Sequence, residues 1–395
     1  MSGNEKTGAA RRSGLELFRI LAMLGIIAHH YVVNSGLASA EGPILADPLS
    51  FRALWHLFAG AWGKIGVNAF VLISAYFLCE KGISARKFLK ILAEFLFYRI
   101  VIAAVFWITG YEPFTPAGLL DALLPVRELK DSFFSNYLVW YLAVPFLNLL
   151  AHRLTERQHL RLLVLLGFAY VFLGTFRPFF GVAMNYFSWY TVLYFLASYI
   201  RLHPRKCFAG VKRWGILSAV CVLLCLLAVA AGAFVSARIR KPYFFVGVTD
   251  CNTFLAAATA LALFLFFNQL EMRPSRFING AAATAFGVFC IHANSDAMRR
   301  WLWGDVLRVT ERYPTSMAWW QLPAAVLGIF AACAAVDLLR ARFLERPFLR
   351  ALDRRLPGIA ARLRKWEDRL AGLEAAPPEE RSTAEGSITE RNENP

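Results

Sequence analysis

Long apolar runs, each close to the length of a membrane-crossing helix, recur along the chain and are separated by short polar links. A helix needs about 20 mostly apolar residues to cross the hydrocarbon core of a bilayer. Backbone groups left unpaired in hydrocarbon are costly, so runs of this length favour helices. The chain is 58% hydrophobic and only 18% charged, which excludes an ordinary soluble protein of 395 residues. We therefore predict an all-α, polytopic membrane bundle.

About ten runs are expected to cross the membrane, which places both termini on one side. The short links on the terminal side are denser in Lys and Arg than the longer opposite loops, and this bias predicts cytoplasmic termini. The net charge of +16 follows from such a topology and from anionic lipid headgroups, and no motif predicts binding to nucleic acid. The predicted spans are 15–33, 57–78, 88–109, 133–150, 160–176, 188–200, 214–237, 251–270, 279–296 and 318–339.

The apolar region at 15–350 is expected to form one transmembrane domain between two polar ends. Residues 1–14 are polar and basic and predict a disordered cytoplasmic N-terminus. Residues 351–395 predict a cytoplasmic tail, with a basic amphipathic helix at 356–373 that lies on the inner leaflet and a disordered end at 375–395. The seven cysteines form no CxxC pair and no Cys/His metal spacing, so we expect neither a disulfide nor a metal site.

The first apolar run carries four costly residues: Glu16, Arg19, His29 and His30. Arg19 and His30 are eleven residues apart, so they share one helix face and lie about 16 Å apart along the axis. Glu16 lies three residues before Arg19 and can pair with it. Ionisable groups inside spans are functional candidates. The simpler interpretation is an anchoring arginine and interfacial histidines that only delimit the span.

Further polar groups lie inside other predicted spans. Lys64 and Asn68 are four residues apart and share a helix face, with Ser74 further along the same run. Each such group, taken alone, is equally explained as a hydrogen-bonded packing contact between helices. Together they are more costly groups than a bundle needs for packing, which indicates a polar interior site. The remaining members of this set are Glu94 and Arg99, which either pair or have different partners, and His292.

Several motifs follow one another in a fixed order along 15–348. They are Arg19 and His30 separated by ten residues, a glycine–valine stretch ending at Ser74 with Ala75 in place of the usual glycine, Arg99 without the usual following proline, Trp140 leading Trp-Tyr-Leu, FGVFCIH ending at His292, and Glu345-Arg-Pro. In this order and spacing the chain resembles the acyltransferase 3 family of integral-membrane acyltransferases. It is most similar to members that act on bacterial surface polysaccharides.

The resemblance implies transfer of an acyl group, most often acetyl, from acetyl-CoA or another acyl-CoA to a carbohydrate hydroxyl. The acceptor would be a surface polysaccharide or a lipid-linked saccharide, and the protein would lie in the bacterial cytoplasmic membrane among its lipids. Attack of a hydroxyl on a thioester needs a base that works near neutral pH, which suits His30, with His29 as the competing base. Glu16 would orient Arg19.

The donor phosphates of acyl-CoA need cations, for which Arg19 and Arg99 are candidates. Lys64, Asn68 and Arg99 are alternatives for polarising the thioester carbonyl or for binding the acceptor. Two other functions compete with the enzyme: a transporter or flippase of the donor or of a lipid-linked saccharide, and a scaffold whose tail docks partners. The remaining candidates for substrate binding are Ser74, Glu94, Trp140 and His292.

Overall fold

The computed structural model describes residues 13–124, 132–176 and 185–355, with a few further residues up to 369. Within those ranges every regular element is helical. The expectations for 1–12, for the amphipathic helix at 356–373 and for the disordered end at 375–395 fall on residues outside this description, apart from a few between 358 and 369.

Fourteen helices of at least eight residues form the described bundle and are numbered in chain order. They are α1 Ser13–Val33, α2 Phe51–Gly60, α3 Gly63–Lys81, α4 Ala85–Ile108, α5 Pro116–Leu123, α6 Phe133–Arg153, α7 Glu156–Leu166, α8 Tyr186–Leu202, α9 Val211–Ile239, α10 Phe254–Gln269, α11 Arg276–Ala283, α12 Ala285–His292, α13 Ala318–Arg340 and α14 Arg346–Arg355.

Seven helical segments in the described chain are long and apolar enough to cross a membrane. The all-α class and the polytopic bundle are thus confirmed, whereas the count of about ten spans stays a prediction. The remaining three predicted spans are helical but short, because α8 has 17 residues, α10 has 16 and the ninth span is divided. The seven segments are Ser13–Val33, Phe51–Lys81, Arg86–Ile108, Phe133–Arg153, Glu156–Thr175, Val211–Ile239 and Ala318–Arg350.

The first helix lies at the centre of the bundle. It packs against α2, α3, α10, α11, α12 and α13, and its residues Phe18, Met23, Ile27 and Tyr31 are almost completely buried. A helix surrounded in this way must place its polar side chains toward interior neighbours, because too little of its surface faces lipid. The fold therefore buries most of the stretch from Glu16 to His30, while Leu21 is exposed and Arg19 is partly exposed.

Helix α1 begins at Ser13, two residues before the predicted start of the first span at residue 15. The hydroxyl of Ser13 donates to Oδ1 of Asn279 at 3.2 Å and accepts from the amide of Ser275 at 3.1 Å. A Cβ on Gly14 would lie 2.6 Å from the carbonyl oxygen of Phe267, so only glycine permits this approach. These contacts fix Ser13 to the start of α11 and Gly14 to the end of α10, so both residues belong to α1 and the prediction for them is corrected.

Two predicted spans are interrupted. The expected single span at 279–296 is divided into α11 and α12 at Thr284, whose hydroxyl donates to the Ala281 carbonyl at 2.8 Å. The helix then ends at His292, and Ser295 caps a new short helix by accepting from the amide of Met298. The run at 57–78 is likewise divided, between α2 and α3, at residues 61 and 62. Such ends leave backbone groups available for other partners.

Candidate functional site

A cavity of about 790 Å³ lies at the end of the bundle where α1 finishes, which we call the Val33 end. Its wall is built from α1, α3, α4 and α12 and from loops that follow α4 and α12. Five of the residues predicted from sequence line it: His29, His30, Lys64, Arg99 and His292. They come from positions up to 263 residues apart, so the fold gathers the polar groups of four helices at one place.

His30 and His292 form a hydrogen-bonded pair in this cavity. Nδ1 of His30 lies 3.1 Å from Nε2 of His292, and Nδ1 of His292 lies 2.6 Å from the carbonyl oxygen of Val288. A carbonyl only accepts, so Nδ1 of His292 carries a proton and its Nε2, in the neutral ring, is an acceptor. His30 must then donate through Nδ1. The pair therefore sets the tautomer of His30 and leaves its Nε2 with a lone pair.

His29 is held by the interruption between α2 and α3. Its Nδ1 donates to the carbonyl oxygen of Gly60 at 2.6 Å, a group that lies at the C-terminal end of α2. A Cβ on Gly63 would lie 2.3 Å from Cγ of His29, so the ring occupies the space that this glycine leaves. The ring centroids of His29 and His30 are 6.0 Å apart. Both histidines thus use Nδ1 to bond to the protein.

Lys64 enters the cavity from the first turn of α3. Its ammonium donates to the hydroxyl of Tyr186 at 3.3 Å and lies 5.8 Å from the centre of that ring. It is close enough to His29, His30 and Asp250 for electrostatic interaction. None of the ion pairs within 4 Å among the described residues includes this ammonium.

Arg99 lines the cavity from α4. Its guanidinium donates to the carbonyl oxygens of Asn294 at 3.0 Å and Asp121 at 2.8 Å, and it lies 5.8 Å from the centre of the Phe95 ring. These bonds join α4 to the segment after α12 and to α5. Glu94, five residues earlier, pairs with Arg340, so of the two predicted alternatives the structure shows Glu94 and Arg99 with different partners.

Ion pairs surround the mouth of the cavity. Arg300 pairs with Glu112, and Arg299 pairs with Asp296 at 3.2 Å. Beyond them, the hydroxyl of Tyr111 donates to Asp305 at 2.5 Å, and this hydrogen bond raises the pKa of the Tyr111 hydroxyl. The mouth is therefore polar, as an opening toward water requires, and its arginines already have carboxylate partners.

Glu16 and Arg19 form the predicted ion pair, at 2.8 Å, but lie outside the cavity toward the opposite end of α1. Arg19 is 26% exposed and lies close enough to Tyr137 for electrostatic interaction, and Ser74 lies beside the hydroxyl of the same tyrosine. Ile26, which lies between Arg19 and His30 on the same helix face, lines the cavity. The ion pair of Glu16 and Arg19 thus lies at the other end of the α1 face that carries His30.

Asn68 and Trp140 are structural contacts in the described chain. The Asn68 amide donates to the carbonyl oxygen of Cys251 at 2.8 Å and accepts from the indole of Trp189 at 2.7 Å. Trp140 is fully buried against Tyr190 and Tyr194, and its indole nitrogen has no partner among the described residues. Neither lines the cavity, so the structure gives no support to their predicted substrate contacts.

Glu94 belongs to a buried ionic cluster around Arg340, which is separate from the cavity. The guanidinium of Arg340 lies 3.1 Å from Glu94, 2.9 Å from Asp337 and 2.8 Å from Glu345. The same cluster extends to Lys90, 2.6 Å from Glu345, and to Tyr98, which donates to Asp337. These bonds join α4 to the end of α13, so the geometry gives Glu94 an interhelical role in place of substrate binding.

Gly63 and Tyr186, which line the cavity, were not predicted from the sequence, and neither was Gly60, whose carbonyl oxygen binds His29. The two glycines interrupt an apolar run, and that spacing is a usable signal for a helix break. Tyr186 begins a helix after Asn185, whose side chain accepts from the amide of Ser188, and one tyrosine among thirteen gave no signal. Among the described residues, no group of three His, Cys, Asp or Glu side chains is placed to hold a metal ion.

Comparison with known proteins identifies the family. The family model of the acyltransferase 3 family, an acyltransferase domain, matches residues 12–338, which is most of the chain. A search of curated proteins and a search of solved structures each found no match. The match covers every residue that lines the cavity. The chain belongs to the acyltransferase 3 family and is a multi-pass membrane acyltransferase.

Proposed function

We propose that this protein transfers an acyl group, most often acetyl, from acyl-CoA to a hydroxyl of a cell-envelope polysaccharide or its lipid-linked precursor. The observation that supports it best is the His30–His292 pair in a large polar cavity of an acyltransferase 3 domain. A histidine base oriented by a second group is the arrangement that activates a hydroxyl nucleophile.

His30 is the proposed base. Its Nε2 takes the proton of the acceptor hydroxyl, the oxygen attacks the thioester carbonyl, and the departing thiolate takes the proton back. His292 keeps the Nδ1 proton of His30 engaged throughout, because its own Nε2 stays an acceptor. His29 has a similar arrangement through Gly60 and is the competing base. We favour His30 because it lies on the same helix face as Arg19, which His29 does not.

The donor is proposed to enter from the end of the bundle that carries Arg19. Arg19 is partly exposed and supplies a cation for the phosphates of acyl-CoA, while Glu16 holds its guanidinium. Arg19 and His30 are about 16 Å apart along α1, a separation that the long pantetheine arm of the donor would span. Tyr137 and Ser74 lie beside this route and are proposed to line it.

The acceptor is proposed to enter from the Val33 end, through the polar mouth of the cavity. With cytoplasmic termini, as the Lys and Arg distribution predicts, this mouth faces away from the cytoplasm. The protein would then sit in the bacterial cytoplasmic membrane, take acyl-CoA from inside and modify a saccharide presented outside. Arg99 contributes to the acceptor side of the cavity wall, at the junction of α4 with the segment after α12.

Acyl transfer from labelled acetyl-CoA to envelope glycan tests the proposal. Membranes with equal amounts of wild type, His30→Ala and His152→Ala are compared. His152 is exposed and lies outside the cavity, so it serves as the histidine control. We expect His30→Ala to lower transfer by about 10²–10⁴-fold, the usual contribution of a general base, and His152→Ala to leave it unchanged. Undiminished transfer by His30→Ala would exclude His30 as the base.

A transporter is the second candidate, because two interrupted segments, α2–α3 and α11–α12, meet at the cavity. Interrupted helices at a central site are typical of secondary transporters. A transporter would move the labelled compound across proteoliposomes without breaking its thioester. Release of stoichiometric free CoA with label on the glycan distinguishes the acyltransferase from it.

A further inference from the structure

We propose that Lys64 is a catalytic residue: its ammonium stabilises the oxyanion of the tetrahedral intermediate, and the Tyr186 hydroxyl holds it in place. The inference rests on the proposed acyl transfer. It assigns one residue to a task for which the sequence left Lys64, Asn68 and Arg99 as alternatives, and the contacts of the three side chains separate them.

The side chains of Asn68 and Arg99 are already committed. Both functional atoms of the Asn68 amide have protein partners, the Cys251 carbonyl and the Trp189 indole, and the side chain does not reach the cavity. The guanidinium of Arg99 donates to two backbone carbonyls from different elements, so moving it toward a substrate would break contacts that join α4 to α5. Neither group is arranged to meet a charge that appears only during the reaction.

The ammonium of Lys64, by contrast, is arranged to meet a negative charge that appears during the reaction. It carries three donors, and its hydrogen bond to Tyr186 uses one of them. The side chain lines the same cavity as His30 and lies within electrostatic range of both histidines. In the described chain no carboxylate lies within ion-pair distance of it, whereas the cavity arginines at the mouth are paired with carboxylates. Asp250 lies within electrostatic range of the ammonium but not in direct contact with it. A donor with no carboxylate in direct contact keeps hydrogen-bonding capacity for negative charge that develops in the reaction.

The electron and proton movements balance. As Nε2 of His30 takes the hydroxyl proton, a bond forms between the acceptor oxygen and the thioester carbon, and the carbonyl electron pair moves onto its oxygen. That oxygen bears the negative charge opposite Lys64. When the carbonyl re-forms, the carbon–sulfur bond breaks and the thiolate takes the proton from His30, so the products are an ester and a free thiol. The Tyr186 hydroxyl, which accepts from Lys64, keeps its own proton available as a second donor.

The test uses full-length protein in proteoliposomes with acetyl-CoA and envelope glycan as probes. Lys64→Met removes the charge at similar length, Lys64→Arg keeps it, and Lys81→Met is the control, because Lys81 is exposed at the far end of the same helix. We expect Lys64→Met to lower kcat by about 10²–10³-fold, the usual effect of losing an oxyanion donor, with KM values little changed. Lys64→Arg should recover part of the loss, and Lys81→Met should match wild type.

Two results would overturn the assignment. One is a kcat for Lys64→Met close to that of wild type; the other is a raised KM for the glycan at unchanged kcat, which would make Lys64 a binding group for an anionic acceptor. If Lys64→Met does not fold, Tyr186→Phe decides, because it must lower kcat without changing either KM. Absence of transfer by wild type itself would refute the proposed function, whereas transfer equal in wild type and Lys64→Met refutes only the role of Lys64.

Discussion

Replacing His292 by leucine is expected to slow acyl transfer without weakening the binding of either substrate. His292 touches His30 through its Nε2 at 3.1 Å, and its own Nδ1 is fixed on the Val288 carbonyl at 2.6 Å. Leucine has a similar size but no acceptor. The Nδ1 proton of His30 would then lose its partner, and the ring would be free to adopt the tautomer that presents the wrong nitrogen to the hydroxyl.

The size of the effect follows from the change of charge on His30. A hydrogen bond between neutral groups contributes about 0.5–1.5 kcal/mol, and one to a charged group contributes about 1.5–3 kcal/mol. His30 is neutral in the resting enzyme and becomes an imidazolium as it takes the proton. In His292→Leu the transition state therefore loses about 1–1.5 kcal/mol more hydrogen-bond stabilisation than the ground state does. This difference corresponds to a kcat about 5- to 12-fold lower.

Steady-state transfer from labelled acetyl-CoA by wild type, His292→Leu and His292→Gln is the appropriate assay. Glutamine keeps an acceptor oxygen near the position of Nε2, so we expect it to recover most of the lost kcat. Both KM values should stay close to those of wild type. A wild-type kcat in His292→Leu, or equal losses in the leucine and glutamine variants, would refute the argument. The first of these results would also shift the role of base to His29.

Three other perturbations test separate parts of the structure. Gly63→Ala places a Cβ 2.3 Å from Cγ of His29, so this ring must move. If His30 is the base, kcat should fall less than it does in His292→Leu. A larger fall would favour His29 as the base. Arg340→Met leaves buried carboxylates unpaired and should lower the free energy of unfolding by about 3–5 kcal/mol, measured in detergent with denaturant; an unchanged midpoint would contradict the buried cluster. Arg19→Ala should raise the KM for acyl-CoA more than it lowers kcat, and the reverse pattern would contradict donor binding at Arg19.

The gathering of polar residues at one cavity was predictable from the sequence in broad terms. A charged or imidazole side chain inside an apolar run must face the protein interior, because hydrocarbon does not solvate it. This reasoning led to five residues that line the cavity, His29, His30, Lys64, Arg99 and His292, and also to Glu16, Arg19 and Glu94, which lie outside it. Their chemical roles remain predictions, since position alone does not determine what a side chain does to a substrate.

The choice of partners was not predictable, because it depends on contacts between residues far apart in sequence. Glu94 lies five residues from Arg99 but pairs with Arg340, and the side chain of Asn68 is hydrogen-bonded to Cys251 and Trp189. A single sequence gives the face on which a polar group lies, but it does not give the neighbour that packs there. The same limit applied to candidates such as Trp140, whose burial among aromatic rings is a property of the packed bundle.

The helix interruptions were missed for a different reason. Hydropathy treats 57–78 and 279–296 as continuous apolar runs, whereas the backbone divides near residue 61 and at Thr284. The first break makes the Gly60 carbonyl available to His29, and the second precedes the short helix that ends at His292. Both breaks therefore help to position imidazoles, and an average over about twenty residues conceals them.

One measurement tests the central claim most directly: a single turnover of purified, reconstituted protein with labelled acetyl-CoA and envelope glycan. Free CoA and glycan-bound label are quantified together for wild type and for His30→Ala. We predict that wild type forms one glycan ester for each CoA released, and that His30→Ala does so about 10²–10⁴-fold more slowly, as expected for loss of a general base. Equal rates in the two proteins, or label that crosses the membrane with its thioester intact, would contradict acyl transfer by His30 in this cavity.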